Sequence, residues 1–238
     1  MNREDFINEI KKLNINITNE QLKELDLYLE FLIEYNNHTN LTAITKEEDI
    51  YLKHFYDSLT IVKAVNLNDY HTLLDIGSGA GFPGFVLKII FPKLEVTLID
   101  SNNKKTTFLK ELSKKLKIDI SIVNMRVEEY AKNNLNRFDI VTSRAVANLR
   151  VLSELSIPLV KLNGLFIPMK GILDKNLEDS LETINILHCE VINQITFNLY
   201  NNSGIRNILV IKKFQESNSD ILRTYDKILK KPLKNNSK

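Results

Sequence analysis

Apolar residues in the first part of the chain recur at three- and four-residue steps. Phe6, Ile7, Ile10 and Leu13 share one helical face, which the polar stretch NINITN interrupts. A second helix is predicted from Thr18, where Thr18 and Gln21 have the spacing of a capping box. It carries Leu22, Leu25, Leu29, Leu32 and Ile33 and ends near Tyr35. After the polar connection NNHTNLTAIT, a third helix is predicted from about Lys46 to Val65. That helix puts Ile50, His54, Asp57 and Ile61 on one side, a mixed stripe suited either to packing a core or to capping a site.

From Thr72 the pattern changes to short apolar runs separated by helical segments. The runs predict strands at 72–77, 95–100, 120–125, 138–143 and 163–169, with helices near 83–91, 102–117, 148–161 and 174–188. Such alternation implies a parallel sheet with crossover helices. Two further strands, 190–199 and 206–214, are joined by the turn sequence YNNSG and lack a crossover, so they predict an antiparallel hairpin. The expected fold is α/β: five parallel strands plus a C-terminal antiparallel hairpin, with an N-terminal helical extension. The seam falls near 66–71. It divides a helical extension (1–65) from a sheet domain (66–214), followed by a basic, mobile tail (215–238).

Composition narrows the partners. With 43% apolar residues the 238-residue chain can bury a full core. A net charge of +2 provides no overall cationic field, so a nucleic acid would have to be held by a local patch. The one cysteine, Cys189, excludes an intramolecular disulfide, fits a reducing compartment and reads as a core residue. The start MNREDFINEI has no apolar signal core, and no run reaches membrane-span length, so a cytoplasmic chain with no membrane partner is expected. His38, His71 and His188 have no metal-ligand spacing with one another or with Cys189, so no metal is expected. Monomer is the default state.

Four of the seven glycines (Gly77, Gly79, Gly81 and Gly84) fall within the stretch TLLDIGSGAGFPG. A strand, a glycine-rich turn and a helix together form a nucleotide-cofactor geometry, with backbone N–H groups aimed at a ligand. A dinucleotide fingerprint counted from Gly77 would need glycine at position 82, where Phe82 stands. S-adenosyl-L-methionine fits better. It has no pyrophosphate, its ammonium suits Asp75, and its ribose hydroxyls suit Asp100 at the end of the second strand. Val127 offers an apolar wall to the adenine. Glu128 and Glu129 belong either to that site or to an ordinary helix start, where the dipole favours acids. Arg144 ends the fourth strand, where a buried guanidinium requires an anion or a planar partner. Lysines 104, 105, 110, 114, 115 and 117 form either a solvated helix face or a phosphate-tracking patch.

Several blocks together carry a family resemblance: NLTAI (40–44), KHFYDSL (53–59), LLDIGSGAGFPG (73–84), LIDSNNKKTTFL (98–109), RVEEY (126–130), SRAVANL (143–149) and MKG (169–171). Over roughly residues 20–212 the chain resembles the glucose-inhibited division protein B family, the ribosomal RNA small subunit methyltransferase G enzymes. The resemblance implies a class I, Rossmann-like methyltransferase that uses S-adenosylmethionine to methylate N7 of one guanine in 16S ribosomal RNA, alone or in the small subunit. It places cofactor contacts on Gly77, Phe82, Val127, Glu128 and Arg144. It places Asn40, His54, Asp57, Arg126, Arg144 and Lys170 on the RNA side, with Arg144, Arg126 and His54 as positioning groups. His54 is open to a second reading, as a satisfied buried histidine, and Asp57 to one in which it pins the third helix to the glycine loop.

The chemistry is consistent with this reading. Guanine N7 has a lone pair and no proton to lose, so methyl transfer there is mostly a matter of positioning. The fourth strand ends in SRAV and lacks the Asn/Asp-Pro-Pro-aromatic tetrapeptide typical of exocyclic amine methylation. An arginine occupying N7 would block the reaction, so Arg144 or Arg126 is expected on phosphate, ribose or O6. The competing functions are a methyltransferase for another RNA base, a small molecule or a protein; a non-catalytic S-adenosylmethionine sensor; and an NAD-dependent oxidoreductase. Phe82 and the terminal hairpin argue against the last.

Overall fold

The structure, a computed structural model, describes residues 1–144, 147–173 and 177–234. Ala145 and Val146 of the SRAVANL block, the expected helix start at 174 and residues 235–238 of the tail lie outside the described residues.

Helix α1 (Arg3–Lys12) is capped by Asn2, and α2 (Asn19–Thr39) by the expected capping box of Thr18 and Gln21. The second helix runs one turn past Tyr35 and stops where Asn40 takes a left-handed conformation. The third helical segment departs from the uninterrupted helix expected. It consists of α3 (Glu47–Ile50), a π-helical turn over Tyr51–Tyr56, a short α4 (Asp57–Leu59) and a 3-10 turn over Thr60–Lys63. Side chains compete for its carbonyls, which accounts for the irregularity. The Lys53 carbonyl accepts from Arg144 Nη1 at 2.8 Å, that of His54 from Ser58 Oγ at 2.6 Å and that of Asp57 from Thr60 Oγ1 at 2.6 Å.

The sheet follows the alternation in the sequence: β1 (Thr72–Ile76), α5 (Gly84–Ile90), β2 (Glu95–Asp100), α6 (Asn103–Leu116), β3 (Ser121–Asn124), the short α7 (Val127–Ala131), β4 (Phe138–Arg144), α8 (Leu149–Ser156), β5 (Val160–Lys170) and α9 (Leu177–Ile186). β6 (Cys189–Asn198) and β7 (Ile205–Lys213) form the hairpin. The strand order is β3-β2-β1-β4-β5-β7-β6, with β7 antiparallel to both β5 and β6. The chain moves outward from β1 on one side and returns to β4 on the other, so a crevice opens at the carboxyl ends of β1 and β4.

One buried cluster fills the face covered by α5 and α6, and the N-terminal helices share it. Tyr28 of α2 lies 5.4 Å from the rings of Phe55, Phe82 and Phe85. A second cluster packs α8 and α9 against the opposite face and includes Cys189. Burial pushes the Cys189 thiol up to about 12, so it stays protonated and apolar in character.

The mobile tail expected from the sequence is a packed segment as far as it is described. α10 (Tyr225–Lys230) buries Ile228 against Val151 and Leu155 of α8. The guanidinium of Arg223 meets the buried carboxylate of Glu154 at 2.9 Å. Glu154 also accepts the Leu233 N–H at 2.8 Å. Among the described residues, no helix is long and apolar enough to cross a membrane.

Candidate cofactor and substrate site

β1 ends in the glycine turn, where Gly77 and Gly79 have φ values of +67° and +60°. This left-handed backbone costs glycine little. At Gly79 the nearest atom to a Cβ would be the Gly77 carbonyl at 3.9 Å, so the turn leaves an open cradle. Gly84 is the opposite case: a Cβ there would stand 2.4 Å from Leu98 and 2.8 Å from Asp75. The turn borders a cavity of about 460 Å³ lined by Gly77, Ser78, Gly79, Asp100, Val127 and Arg144, among others.

These residues fit S-adenosylmethionine. Asp100 is nearly buried at the cavity wall; its Oδ2 accepts the Gly79 N–H at 3.0 Å and its Oδ1 the Asn102 N–H at 2.8 Å. Both oxygens keep lone pairs for a ribose diol. The buried Ser78 hydroxyl lines the cavity and has no hydrogen-bond partner among the described residues. Ile99, Val127 and Leu155 supply apolar lining, and Glu128 lines the cavity as well. Phe82 fills the place of a third dinucleotide glycine. Its ring stacks on Tyr28 at 5.4 Å and on His54 at 4.2 Å, with interplanar angles of 6° and 12°.

Arg144 reaches across from β4 and closes the wall. Nη1 donates to the Lys53 carbonyl at 2.8 Å and to Asp57 Oδ2 at 3.0 Å, while Nη2 lies 3.1 Å from His54 Nδ1. The guanidinium carbon sits 5.4 Å from the Phe82 ring centre, so Arg144 has both the anion and the planar partner its position requires. Because arginine only donates, His54 Nδ1 must accept, which puts the ring proton on Nε2, donating to Thr42 Oγ1 at 3.1 Å. Burial and the neighbouring Arg144 charge push His54 down to about 3, so the ring is neutral. The Thr42 oxygen also accepts the Ile44 N–H at 3.1 Å, leaving its hydroxyl hydrogen for the cavity it lines.

A second cavity, about 650 Å³, lies on the other side of this wall and shares His54 and Arg144 with the first. Lys53, Asp57, Lys170 and Arg206 line it. Lys170 Nζ donates to the Ala147 carbonyl at 2.7 Å. The Asp57 carboxylate joins two guanidiniums, holding Arg144 through Oδ2 and Arg206 Nε through Oδ1 at 2.8 Å.

Of the residues expected at the site, Gly77, Gly79, Phe82, Asp100, Val127, Glu128 and Arg144 line the first cavity, and His54, Asp57 and Lys170 line the second. Asp75 does not face the ligand space. It is fully buried under the turn, where its Oδ2 accepts the Gly84 N–H at 2.8 Å. That N–H opens α5 and has no helical acceptor of its own, so the carboxylate braces the turn. Its other oxygen has no partner among the described residues, and burial raises it to about 7. Asn40 is exposed, ends α2 and lines neither cavity; Asn36 instead holds the Thr42 backbone with two bonds of 3.0 Å. Arg126 lines the first cavity, its guanidinium 5.5 Å from the Tyr225 ring centre, and does not line the second. Asp57 is a pin for both arginines, because both of its oxygens are engaged.

Sequence reasoning missed Thr42, Arg206 and Tyr225. A signal for Arg206 was present: in an antiparallel hairpin, the start of β7 lies at the carboxyl edge of β5, with Asn207 opposite Lys170. The lysines of α6 are mostly exposed, with Lys115 over Phe31 at 5.1 Å and Lys105 3.7 Å from Asp100. Among the described residues no group of three or more His, Cys, Asp or Glu could hold a metal ion.

The family model described as GidB, rRNA small subunit methyltransferase G, matches residues 21–220. A curated protein of Lactobacillus helveticus, named ribosomal RNA small subunit methyltransferase G, is 42% identical over 98% of this chain and 100% of its own length. The protein of that name from Bacillus subtilis is 42% identical over 91% of this chain and 92% of its own. Among solved structures, the YcgJ protein from Bacillus subtilis aligns with a TM-score of 0.53 at 12% identity, covering 68% of this chain and all of that one. The mitomycin 7-O-methyltransferase MmcR aligns at 0.52 and 14% identity, covering 67% and 53%. These alignments match the class I methyltransferase sheet.

Proposed function

The chain belongs to the rRNA small subunit methyltransferase G family, and from that premise we propose that its two joined cavities carry methyl transfer from S-adenosylmethionine to N7 of a guanine in 16S ribosomal RNA. The observation that carries this reading is the shared wall. His54 and Arg144 border both the glycine-turn cavity and the cavity lined by Lys53, Lys170 and Arg206. A nucleobase entering the second cavity approaches the reactive end of a ligand in the first.

The bound cofactor supplies an electrophilic methyl group, and N7 supplies a lone pair with no proton to remove. The chain therefore contributes alignment and charge placement. Arg144 is fixed by Lys53, Asp57 and His54, and its remaining donor capacity is suited to O6 or a phosphate. N7 methylation leaves positive charge on the base. A neutral His54 beside it adds no opposing charge, and Asp57 offsets the two arginines it joins. Lys53, Lys170 and Arg206 give the second cavity a cationic lining suited to the RNA backbone. In this reading the partner is ribosomal RNA and the compartment the cytoplasm.

The test is transfer from radiolabelled S-adenosylmethionine to 16S RNA taken from cells lacking the gene. Label in the RNA, recovered as 7-methylguanine, is the expected result. Label transferred to a small molecule or protein, with none in RNA, would contradict it.

A further inference from the structure

The C-terminal segment folds onto the site more tightly than its polar sequence suggests. Ser217 exchanges two hydrogen bonds with the Asn136 side chain, at 2.8 and 3.0 Å. Arg223 and the Leu233 N–H both end on Glu154, a buried carboxylate of α8. The Leu233 carbonyl accepts from Arg150 Nη2 and Thr183 Oγ1, each at 3.1 Å. Ile228 fills the gap beside Val151 and Leu155. Between these ties stands Tyr225, half-buried, lining the first cavity together with Arg126, Val127 and Leu155. Val127, Leu155 and Tyr225 give this part of the lining an apolar character.

We propose that Tyr225 is a cofactor-binding residue and that the segment around it is a built-in wall of the site, its ring, backed by the Arg126 guanidinium, packing on the adenine of S-adenosylmethionine. This rests on the cofactor reading above. A flat heteroaromatic ring gains from stacking on an aromatic face, and the Arg126 guanidinium, lying over the Tyr225 ring 5.5 Å from its centre, holds that ring in a stacked pair at the cavity wall. The anchoring at Glu154 then has a consequence for binding: it holds the tyrosine in place before the ligand arrives.

Calorimetric titration of the full-length chain with S-adenosylmethionine tests this. Tyr225→Ala should weaken binding about tenfold or more, and Tyr225→Phe should stay within about twofold of the parent, since the ring and not the hydroxyl makes the contact. A second measurement does not depend on the alanine variant folding. The chain contains no tryptophan, so Tyr225→Trp introduces the only indole, and saturating S-adenosylmethionine should change its emission with the calorimetric midpoint. Unchanged emission, or Tyr225→Ala affinity within twofold of a parent that binds, would overturn the proposal. A parent that fails to bind S-adenosylmethionine at all would overturn the cofactor reading and this inference with it.

Discussion

His54 Nδ1 lies 3.1 Å from Arg144 Nη2, so a neutral imidazole accepts from a guanidinium at the boundary between two cavities. A face of the ring is stacked on Phe82, and its Nε2 is tied to Thr42. The pair thus joins the π-helical turn, the glycine turn and β4 in one contact.

Arg144→Ala is expected to lose at least about a hundredfold in kcat while keeping the fold, because it removes alignment at the shared wall. Arg144→Lys should rescue little: a single ammonium cannot span the Lys53 carbonyl, Asp57 and His54 as a guanidinium does. Methyl-transfer rates together with melting temperatures check this, and a fully active lysine variant would show that charge alone suffices.

Asp57→Ala leaves two guanidiniums without their shared carboxylate and should cost about 3 kcal/mol of stability. Arg206→Ala leaves Asp57 paired with Arg144 and should cost about 1 kcal/mol. Urea unfolding of the two variants measures the difference. Equal costs would mean that the Asp57 bridge does not hold both arginines.

Two buried titratable groups, His54 in the shared wall and Asp75 beneath the glycine turn, act in opposite directions with pH. His54 is lowered from 6.5 to about 3, so between these values the unfolded chain binds more protons; this contribution is complete above pH 6.5 and is lost as pH falls. Asp75 is raised from 3.8 to about 7, so the folded chain binds more protons; this contribution is complete below pH 3.8 and is lost as pH rises toward 7. Each slope is at most about 1.4 kcal/mol per pH unit. Relative to the parent, His54→Gln should therefore gain stability as pH drops from 6.5, and Asp75→Asn should gain as pH rises to 7. Urea midpoints across this range should move oppositely for the two variants; parallel profiles would contradict the assignment.

Two glycine variants separate binding from folding. Gly79→Ala meets open space and should cost only about 1–2 kcal/mol for its left-handed backbone, yet its methyl fills the cradle and should abolish measurable S-adenosylmethionine binding. Gly84→Ala drives a methyl into Leu98 and Asp75 and should cost about 2–3 kcal/mol or more. Thermal shift with and without the ligand reads both effects.

Much of this arrangement is legible in the sequence because local rules set it. Alternating apolar runs mark the strands to within a few residues at their ends, Thr18 and Gln21 mark a helix start, and Phe82 in place of glycine separates one cofactor from another. The illegible parts depend on long-range competition for hydrogen bonds. The π-helical turn arises in part because Arg144, 91 residues away, takes the Lys53 carbonyl. Asp75 turns inward because the Gly84 N–H needs an acceptor. The tail looks mobile because its one buried apolar residue, Ile228, makes no periodic pattern, and its main anchor is Glu154 on a distant helix.

Methylation of guanine N7 in 16S RNA is read directly by chemical mapping of that RNA from cells with and without the gene. Borohydride reduction followed by aniline cleaves the strand at 7-methylguanosine. A break at one guanine is expected in RNA from cells carrying the gene, and its loss in RNA from cells lacking it. Identical cleavage patterns in the two RNAs would contradict N7 methylation.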